Sequence, residues 1–347
     1  MEVRHARFVT GASGWIGSAL VPELIGAGHE VTGLARSDVS AAALTEAGAR
    51  VHRGDLDDPG GLRGAAGAAD GVIHLAFNAG MLRSGHFQGA VDADRRAVEA
   101  LGEALTGSDR PLVIASATVV LAPGRMGTEQ DAPGLDPPVT GGPRARSATD
   151  PGGLARERHR NGVVDVRAEQ AEQAELVQGL HRAGEKVALS FVSRGVRSSV
   201  VRLATTCHGD RDHGFLAALV GIARDTGVSG FTGDGSSRWT AVHRLDAAHL
   251  FRLALEKAPA GSRLHAVADE GVPIRAIAEV IGRHLDVPVV SVPAGAAIGH
   301  FGFLAGFLAA DNPVSSTLTR ELLGWQPAHP GLIEDLDKGH YFHSRSA

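Results

Sequence analysis

From Arg7 onward, short apolar runs alternate with amphipathic stretches. Arg7-Phe8-Val9-Thr10 reads as a strand, a glycine-rich turn follows, and Ser18 to Ala27 reads as a helix. Strand, turn and helix in that order open a βαβ unit. Further strands are predicted at Glu30–Ala35, Val51–Asp55, Gly71–Ala76 and Leu112–Ala115. Intervening helices of about ten to fifteen residues imply an α/β fold, a doubly wound parallel sheet with right-handed crossovers. Ligands of such a sheet lie at the carboxyl ends of its strands.

The second half keeps the rhythm less regularly. Ser198–Leu203 and Leu264–Val267 read as strands, and Gly214–Asp225, Leu245–Ala258, Ile274–Leu285 and Leu318–Leu323 as helices. Between Ala122 and Arg160 the composition turns to Pro, Gly, Arg and Asp without apolar periodicity, which predicts a loop or lid. Val166 to Arg182 is again helical in pattern. The longest apolar stretch, Val289 to Ala310, is interrupted by Ser291, Pro293 and His300. A membrane span needs about 20 apolar residues without such breaks, so a buried or pocket-lining helix is expected.

Composition narrows the partners. Lys and Arg total 34 against 39 Asp and Glu, a net charge of −5, so nothing draws the chain to nucleic acid or an anionic membrane. A small-molecule partner is expected instead. Cys207 stands alone and no charged-then-apolar leader opens the sequence, which points to the cytoplasm. There are 17 histidines but one tyrosine, Tyr341, and only Lys186, Lys257 and Lys338 as lysines. That scarcity bears on the chemistry.

Thr10-Gly11-Ala12-Ser13-Gly14-Trp15-Ile16-Gly17 spaces three glycines between a predicted strand and helix. Gly11 suits the tight turn, Gly14 the approach of a pyrophosphate, and Gly17 close packing of helix on strand; the helix N-terminus offers free N–H donors. This opening resembles the short-chain dehydrogenase/reductase superfamily, in particular its extended branch of epimerases, dehydratases and reductases. Gly54-Asp55-Leu56, His74-Leu75-Ala76, Ala115-Ser116-Ala117-Thr118, Val201-Arg202-Leu203, Val242 to Ala248 and Arg320 to Pro327 carry the likeness along nearly the whole chain. The resemblance implies a Rossmann-type domain with a small C-terminal substrate lobe. It assigns Gly11, Ser13, Gly14, Trp15, Ile16, Gly17, Asp55, Leu56, Leu75 and Ala76 to the cofactor. The end of the second strand carries Ala35 and then Arg36, where NAD-binding members have an acid. A guanidinium in place of an acid favours NADP over NAD.

The family's Tyr-x-x-x-Lys pair is absent. Gln178 and Arg182 stand near its positions; neither donates a proton at neutral pH, though Arg182 could hold the nicotinamide ribose. Ser116 is the leading polar group for the reacting carbon, with Thr118 as substitute, and Asp92 replaces an asparagine common in the branch. Cys207-His208-Gly209-Asp210-Arg211-Asp212-His213 lacks metal-ligand spacing, so no metal is expected. His208 is a candidate proton donor, and His213, Trp239 and His243 are candidate substrate residues.

These residues imply an NADP-dependent oxidoreductase acting on a ketone or secondary alcohol. The low charge around Ala294–Ala310 favours a hydrophobic or polycyclic substrate, while Arg211, Arg238 and Arg320 keep a nucleotide-sugar open. The alternatives are an isomerase or dehydratase with bound NAD(P), and a non-catalytic NADP-binding regulator. Residues 1–205 are expected to form the dinucleotide-binding domain, with the insertion at 122–165, and residues 206–347 mainly the lobe, interleaved with sheet-completing segments. A homodimer would use Val91–Leu105 and Val166–Arg182, helices the branch often pairs.

Overall fold

A computed structural model describes residues 5–77, 87–132 and 183–343. Seven strands form the central sheet: β1 (Ala6–Thr10), β2 (Glu30–Ala35), β3 (Arg50–Arg53), β4 (Gly71–His74), β5 (Pro111–Ala117), β6 (Arg197–Leu203) and β10 (Arg263–Ala266). Their order is β10-β6-β5-β4-β1-β2-β3, every pairing parallel. The order reverses beside β1, so the β1 and β4 ends open a crevice. β4 is buried at all four positions, as a strand covered on both faces must be.

Helices cover both faces. Gly17–Gly26 and Arg244–Lys257 pack on one side, where Leu20, Leu24, Leu250 and Phe251 join Val9, Ile73 and Val113. On the other face Leu62, Val98 and Leu101 meet Phe8, Val72 and Leu112. The Rossmann-like sheet is thus a doubly wound layer with two cores. Its edge strand β10 lies far along the sequence, among segments of the lobe.

The lobe adds two small sheets. β7 (Thr206–His208) pairs parallel with β9 (Arg238–His243), which pairs antiparallel with β11 (Asp269–Pro273); β8 (Ser229–Thr232) pairs parallel with β12 (Val289–Val292). Helices Phe215–Thr226 and Ile274–Leu285 enclose a third core of Leu219, Phe231, Trp239, Ile277 and Leu308.

Two expectations are corrected. Val289–Ala310 is not one helix: it holds β12 and then helices Ala297–Phe301 and Leu304–Ala309. Pro293 follows the strand, and Gly302 at φ +56 separates the helices in a left-handed conformation that Cβ disfavours. The third strand ends at Arg53, short of Asp55. The loop expected from Ala122 holds no helix or strand over its described residues, 122–132, but is packed: Glu129 is buried and accepts from the Thr319 N–H and hydroxyl at 2.8 and 2.7 Å, while Gly127 bridges Val314. The Val166–Arg182 helix, with Gln178 and Arg182, lies outside the described residues.

Candidate active site

The glycine turn follows β1 directly. Gly11 has φ +68, and a Cβ there would lie 2.6 Å from the Ala76 nitrogen. Gly17 would drive a Cβ into the Gly11 carbonyl. Both glycines are therefore required by the turn itself. At Gly14 a Cβ would meet only the Gly11 oxygen, at 3.1 Å, so its bareness serves what approaches from outside. Helix Gly17–Gly26 has no side-chain N-cap and no acid in its first turn. The Ser18, Ala19 and Leu20 N–H groups are taken by the Gly14 and Ile16 carbonyls, so the helix dipole and the N–H groups of the turn before Ser18 are what fit a pyrophosphate.

At the end of β2, Arg36 is largely exposed, 3.9 Å from Asp55. Ser37 caps the next helix, Asp38–Glu46, by accepting from the Ser40 N–H. Arg53 faces Ala35 across the β2–β3 register and pairs with Asp38 at 2.5 Å. Two guanidiniums thus flank the strand end that lacks an acid. Leu56 lies nearby, packed against the core beneath β1.

An open cleft of about 380 Å³ runs from the glycine turn across the ends of β4 and β5 to the lobe. Trp15, Ile16, Leu75 and Ala76 line it, as does Ser116; the lobe contributes His213 and Phe215. Trp15 donates its indole N–H to the Cys207 carbonyl at 2.8 Å, meets the His213 ring edge-on and carries the Arg244 guanidinium over its face. Trp15 thereby ties turn to lobe. Cys207 also lines the cleft, but burial, with Asp212 adding to it, pushes its thiol up to about 12, too high for a nucleophile.

Ser116 donates to Glu185 Oε1 at 2.6 Å. Glu185 in turn accepts from Arg202 Nε at 2.9 Å and Nη2 at 2.8 Å, and this bidentate pair is buried. Arg202 also donates to the Asp131 carbonyl and lies 3.4 Å from His265 Nε2. A hydroxyl has one proton, so Ser116 in this arrangement presents only lone pairs to the cleft. On the β4 side, Thr10 Oγ1 lies 2.7 Å from His74 Nδ1, and His74 Nε2 lies 3.2 Å from Asp94 Oδ1. A carboxylate only accepts, so His74 Nε2–H donates to Asp94, and Thr10 Oγ1 also accepts from the Ala76 N–H. Asp94, two residues beyond Asp92, lines the cleft.

Several expected site residues lie elsewhere. Thr118 is wholly buried, 3.2 Å from the Thr240 hydroxyl, and joins β5 to the lobe. Trp239 is core: no part is exposed, and its N–H donates to the Phe307 carbonyl at 2.8 Å. His208 lies behind the cleft wall with Nδ1 3.0 Å from Asp335, and its Nε2 is buried with no hydrogen-bond partner among the described residues. His243 accepts from the Leu245 N–H and stacks on His329 with ring centres 4.7 Å apart. Neither histidine lines the cleft. His243, Asp246 and His329 lie close enough to share a metal. The Asp246 carboxylate is already taken by the N–H groups of Ala328 and His329 and by the His329 ring.

Asp94, Glu185 and Asp212 were not foreseen. Asp212 lines the cleft, accepts from the Gly214 N–H at 2.6 Å, and lies 3.1 Å from the Tyr341 hydroxyl, which donates to it. Burial pushes its carboxyl above the ordinary range, against the Gly214 N–H, Tyr341, His213 and His208, which pull it down. Among the described residues lining the cleft there is no Lys or Arg.

The glycine turn with its bare Gly14, the crevice beside β1 and the cleft are what a dinucleotide-dependent Rossmann enzyme presents. Residues 7–141 match the NAD dependent epimerase/dehydratase family. A protein of Schizosaccharomyces pombe is 44% identical over 337 residues, 96% of this chain and 99% of its own length. The chain belongs to that family. A Saccharomyces cerevisiae protein is 41% identical over 331 residues, 95% of this chain and 97% of its own. Both are described only as uncharacterized. Among solved structures, a UDP-glucose 4-epimerase of Thermotoga maritima with UDP-glucose has a TM-score of 0.69 at 17% identity, covering 97% of this chain and 98% of that one. MoeE5 with UDP-glucuronic acid and NAD has a TM-score of 0.66 at 20% identity, covering 95% and 96%. At such identities these structures show a shared fold alone. No helix among the described residues is long and apolar enough to cross a membrane.

Proposed function

We propose that this family member is an NADP-dependent oxidoreductase interconverting a ketone and a secondary alcohol on a small apolar substrate. The observation that carries the reading is the cleft lining: Trp15, Leu75, Phe77 and Phe215 supply apolar walls, and no described lining residue is the Lys or Arg that a nucleotide-sugar diphosphate needs, Arg244 stacking on Trp15 from outside that lining. Arg238, one of the arginines that kept that substrate open, is spent on Asp311 at 2.7 Å. Phe215 continues into an aromatic group with Phe303 and Phe307, extending the apolar wall beyond the cleft.

The turn at Gly11–Gly17 would hold the pyrophosphate, and Arg36 with Arg53 the adenosine 2′-phosphate. When bound, the reduced nicotinamide supplies hydride. Two shorter likenesses agree with this chemistry: 41% identity over 80 residues, 23% of this chain, to a 2-alkyl-3-oxoalkanoate reductase of Shewanella oneidensis, and 41% over 69 residues, 20% of this chain, to a sterol-4-alpha-carboxylate 3-dehydrogenase of Dictyostelium discoideum. The test is the loss of NADPH absorbance under single-turnover conditions with a panel of apolar ketones. Oxidation of NADPH by at least one ketone, and none by nucleotide-sugar ketones, is the expected result. Activity confined to a nucleotide-sugar would refute the substrate class.

A further inference from the structure

The missing family tyrosine leaves a carbonyl reduction without a proton source, and the geometry removes the obvious substitutes. The Ser116 hydroxyl is already engaged as a donor to Glu185. His208 is walled off from the cleft with Nδ1 on Asp335. Gln178 and Arg182 have no proton to give at neutral pH.

The geometry points to Asp212 as the proton donor of this site, with Tyr341 as the residue that positions and recharges it. The inference rests on the oxidoreductase reading above. Asp212 lies on the cleft wall contributed by the lobe, alongside His213 and Phe215, in the same cleft that Ser116 lines from β5. The only tyrosine of the chain returns from the far C-terminal segment to meet it. The Tyr341 oxygen has three partners: it accepts from the Gly209 N–H at 3.2 Å, and its proton can go to Asp212 Oδ2 at 3.1 Å or to the Gly209 carbonyl at 3.4 Å. That set satisfies both states of the carboxyl. When Asp212 is ionised, Tyr341 donates to it. When Asp212 is protonated, Tyr341 turns its own proton to the Gly209 carbonyl, which frees the carboxyl proton for the cleft. Tyr341 is itself partly exposed, which gives the pair a route to solvent.

In the step, hydride from the reduced nicotinamide forms the new C–H bond as the carbonyl π bond breaks onto oxygen. The Asp212 proton forms the new O–H bond. The nicotinamide is oxidised, the ketone becomes an alcohol, and the carboxylate left behind is held by the Gly214 N–H and the Tyr341 hydroxyl. A proton from solvent restores the acid. Oxidation runs the same path backward.

The groups facing Asp212 are Cys207 and His208 on β7, its neighbour His213, and Tyr341 on the C-terminal segment. Burial raises its carboxyl, which lets it hold a proton nearer neutrality than an ordinary aspartate.

The experiment has two arms. Carbon NMR titration of side-chain carboxyls in the cofactor-free protein should show one elevated midpoint that vanishes in Asp212→Asn and rises further in Tyr341→Phe, where a donor to the carboxylate is lost. In turnover, Asp212→Asn should lower kcat by about 10²- to 10⁴-fold with NADPH affinity unchanged, Asp212→Glu should recover part of it, and Tyr341→Phe should shift the basic limb of the pH profile upward. An Asp212 midpoint in the ordinary carboxylate range overturns the proposal whatever the activity. Wild-type turnover that survives intact in a folded Asp212→Asn overturns the donor alone. Absence of hydride transfer in the wild type, with every ketone tried, defeats the oxidoreductase reading and the donor with it.

Discussion

His329 reaches Asp246 twice: its backbone N–H donates to Oδ2 at 3.1 Å, and its ring Nδ1 lies 2.8 Å from Oδ1. The Ala328 N–H adds a third bond at 2.9 Å, and the neighbouring Trp325 donates to the Asp246 carbonyl at 3.0 Å. One buried carboxylate thus anchors the C-terminal loop to the start of helix Arg244–Lys257. Asp246→Ala should strand those donors and cost about 1 to 3 kcal/mol, as leaving buried donors without an acceptor does. Urea unfolding measures it, and a loss below about 1 kcal/mol would mean the loop is held by other contacts.

Ser116→Ala should lower kcat by only about tenfold. With its proton on Glu185, Ser116 can accept one hydrogen bond from the alcohol, worth about 1 to 1.5 kcal/mol, and not the 2.7 to 4 kcal/mol of a donor aimed at an oxyanion. A loss of a thousandfold would show that the hydroxyl turns away from Glu185 during reaction.

Arg36→Ala should weaken NADPH binding by about 10- to 100-fold and leave NADH unchanged, since a charged hydrogen bond to phosphate contributes about 1.5 to 3 kcal/mol. Arg53→Ala should do the same to a smaller extent, because Asp38 already engages that side chain. Calorimetry with both cofactors checks this, and equal wild-type affinities for the two would refute the 2′-phosphate site.

The two glycines of the turn should behave differently. Gly14→Val should still fold, with the Gly11 carbonyl giving way by a few tenths of an ångström, and lose cofactor, because a Cβ there meets only that oxygen, at 3.1 Å. Gly11→Val should not fold to native stability, since φ +68 and the Ala76 backbone 2.6 Å from its Cβ both oppose it. Thermal melts with and without NADPH separate the two outcomes.

Burial first, then the neighbouring His208 and His329, hold the His243 imidazole down at about 4 from an ordinary 6.5. The unfolded chain therefore binds the extra proton in that window. His243 contributes stability above about pH 6.5 that is lost as pH falls toward about 4. His243→Gln should flatten that part of the stability–pH curve, read from urea midpoints; an unchanged slope would show that His243 is free to charge in the folded state.

The sheet was legible because β1, β2, β4, β5 and β6 are short apolar runs, most with a glycine near one end, and their motifs delivered Trp15, Leu75, Ala76 and Ser116 to the cleft wall. Trp239, His208 and His243 were misplaced for a physical reason. They lie on β7 and β9, short strands whose alternating side chains face cleft or core according to a pairing that no local pattern specifies. Asp212 and Glu185 were passed over because their partners are distant. Tyr341 lies 129 positions from Asp212 and Glu185 lies 69 from Ser116, and a single sequence carries no record of such closures.

Strand β10 has a consequence for synthesis. A ribosome releasing this chain in order makes six sheet strands and then much of the lobe before the seventh strand exists to cover the outer edge of β6. Until residues 263–266 emerge, β6 exposes a row of unpaired N–H and C=O groups, the kind of edge that recruits foreign strands. A nascent chain stalled before that point would be open to aggregation while its glycine turn was already formed.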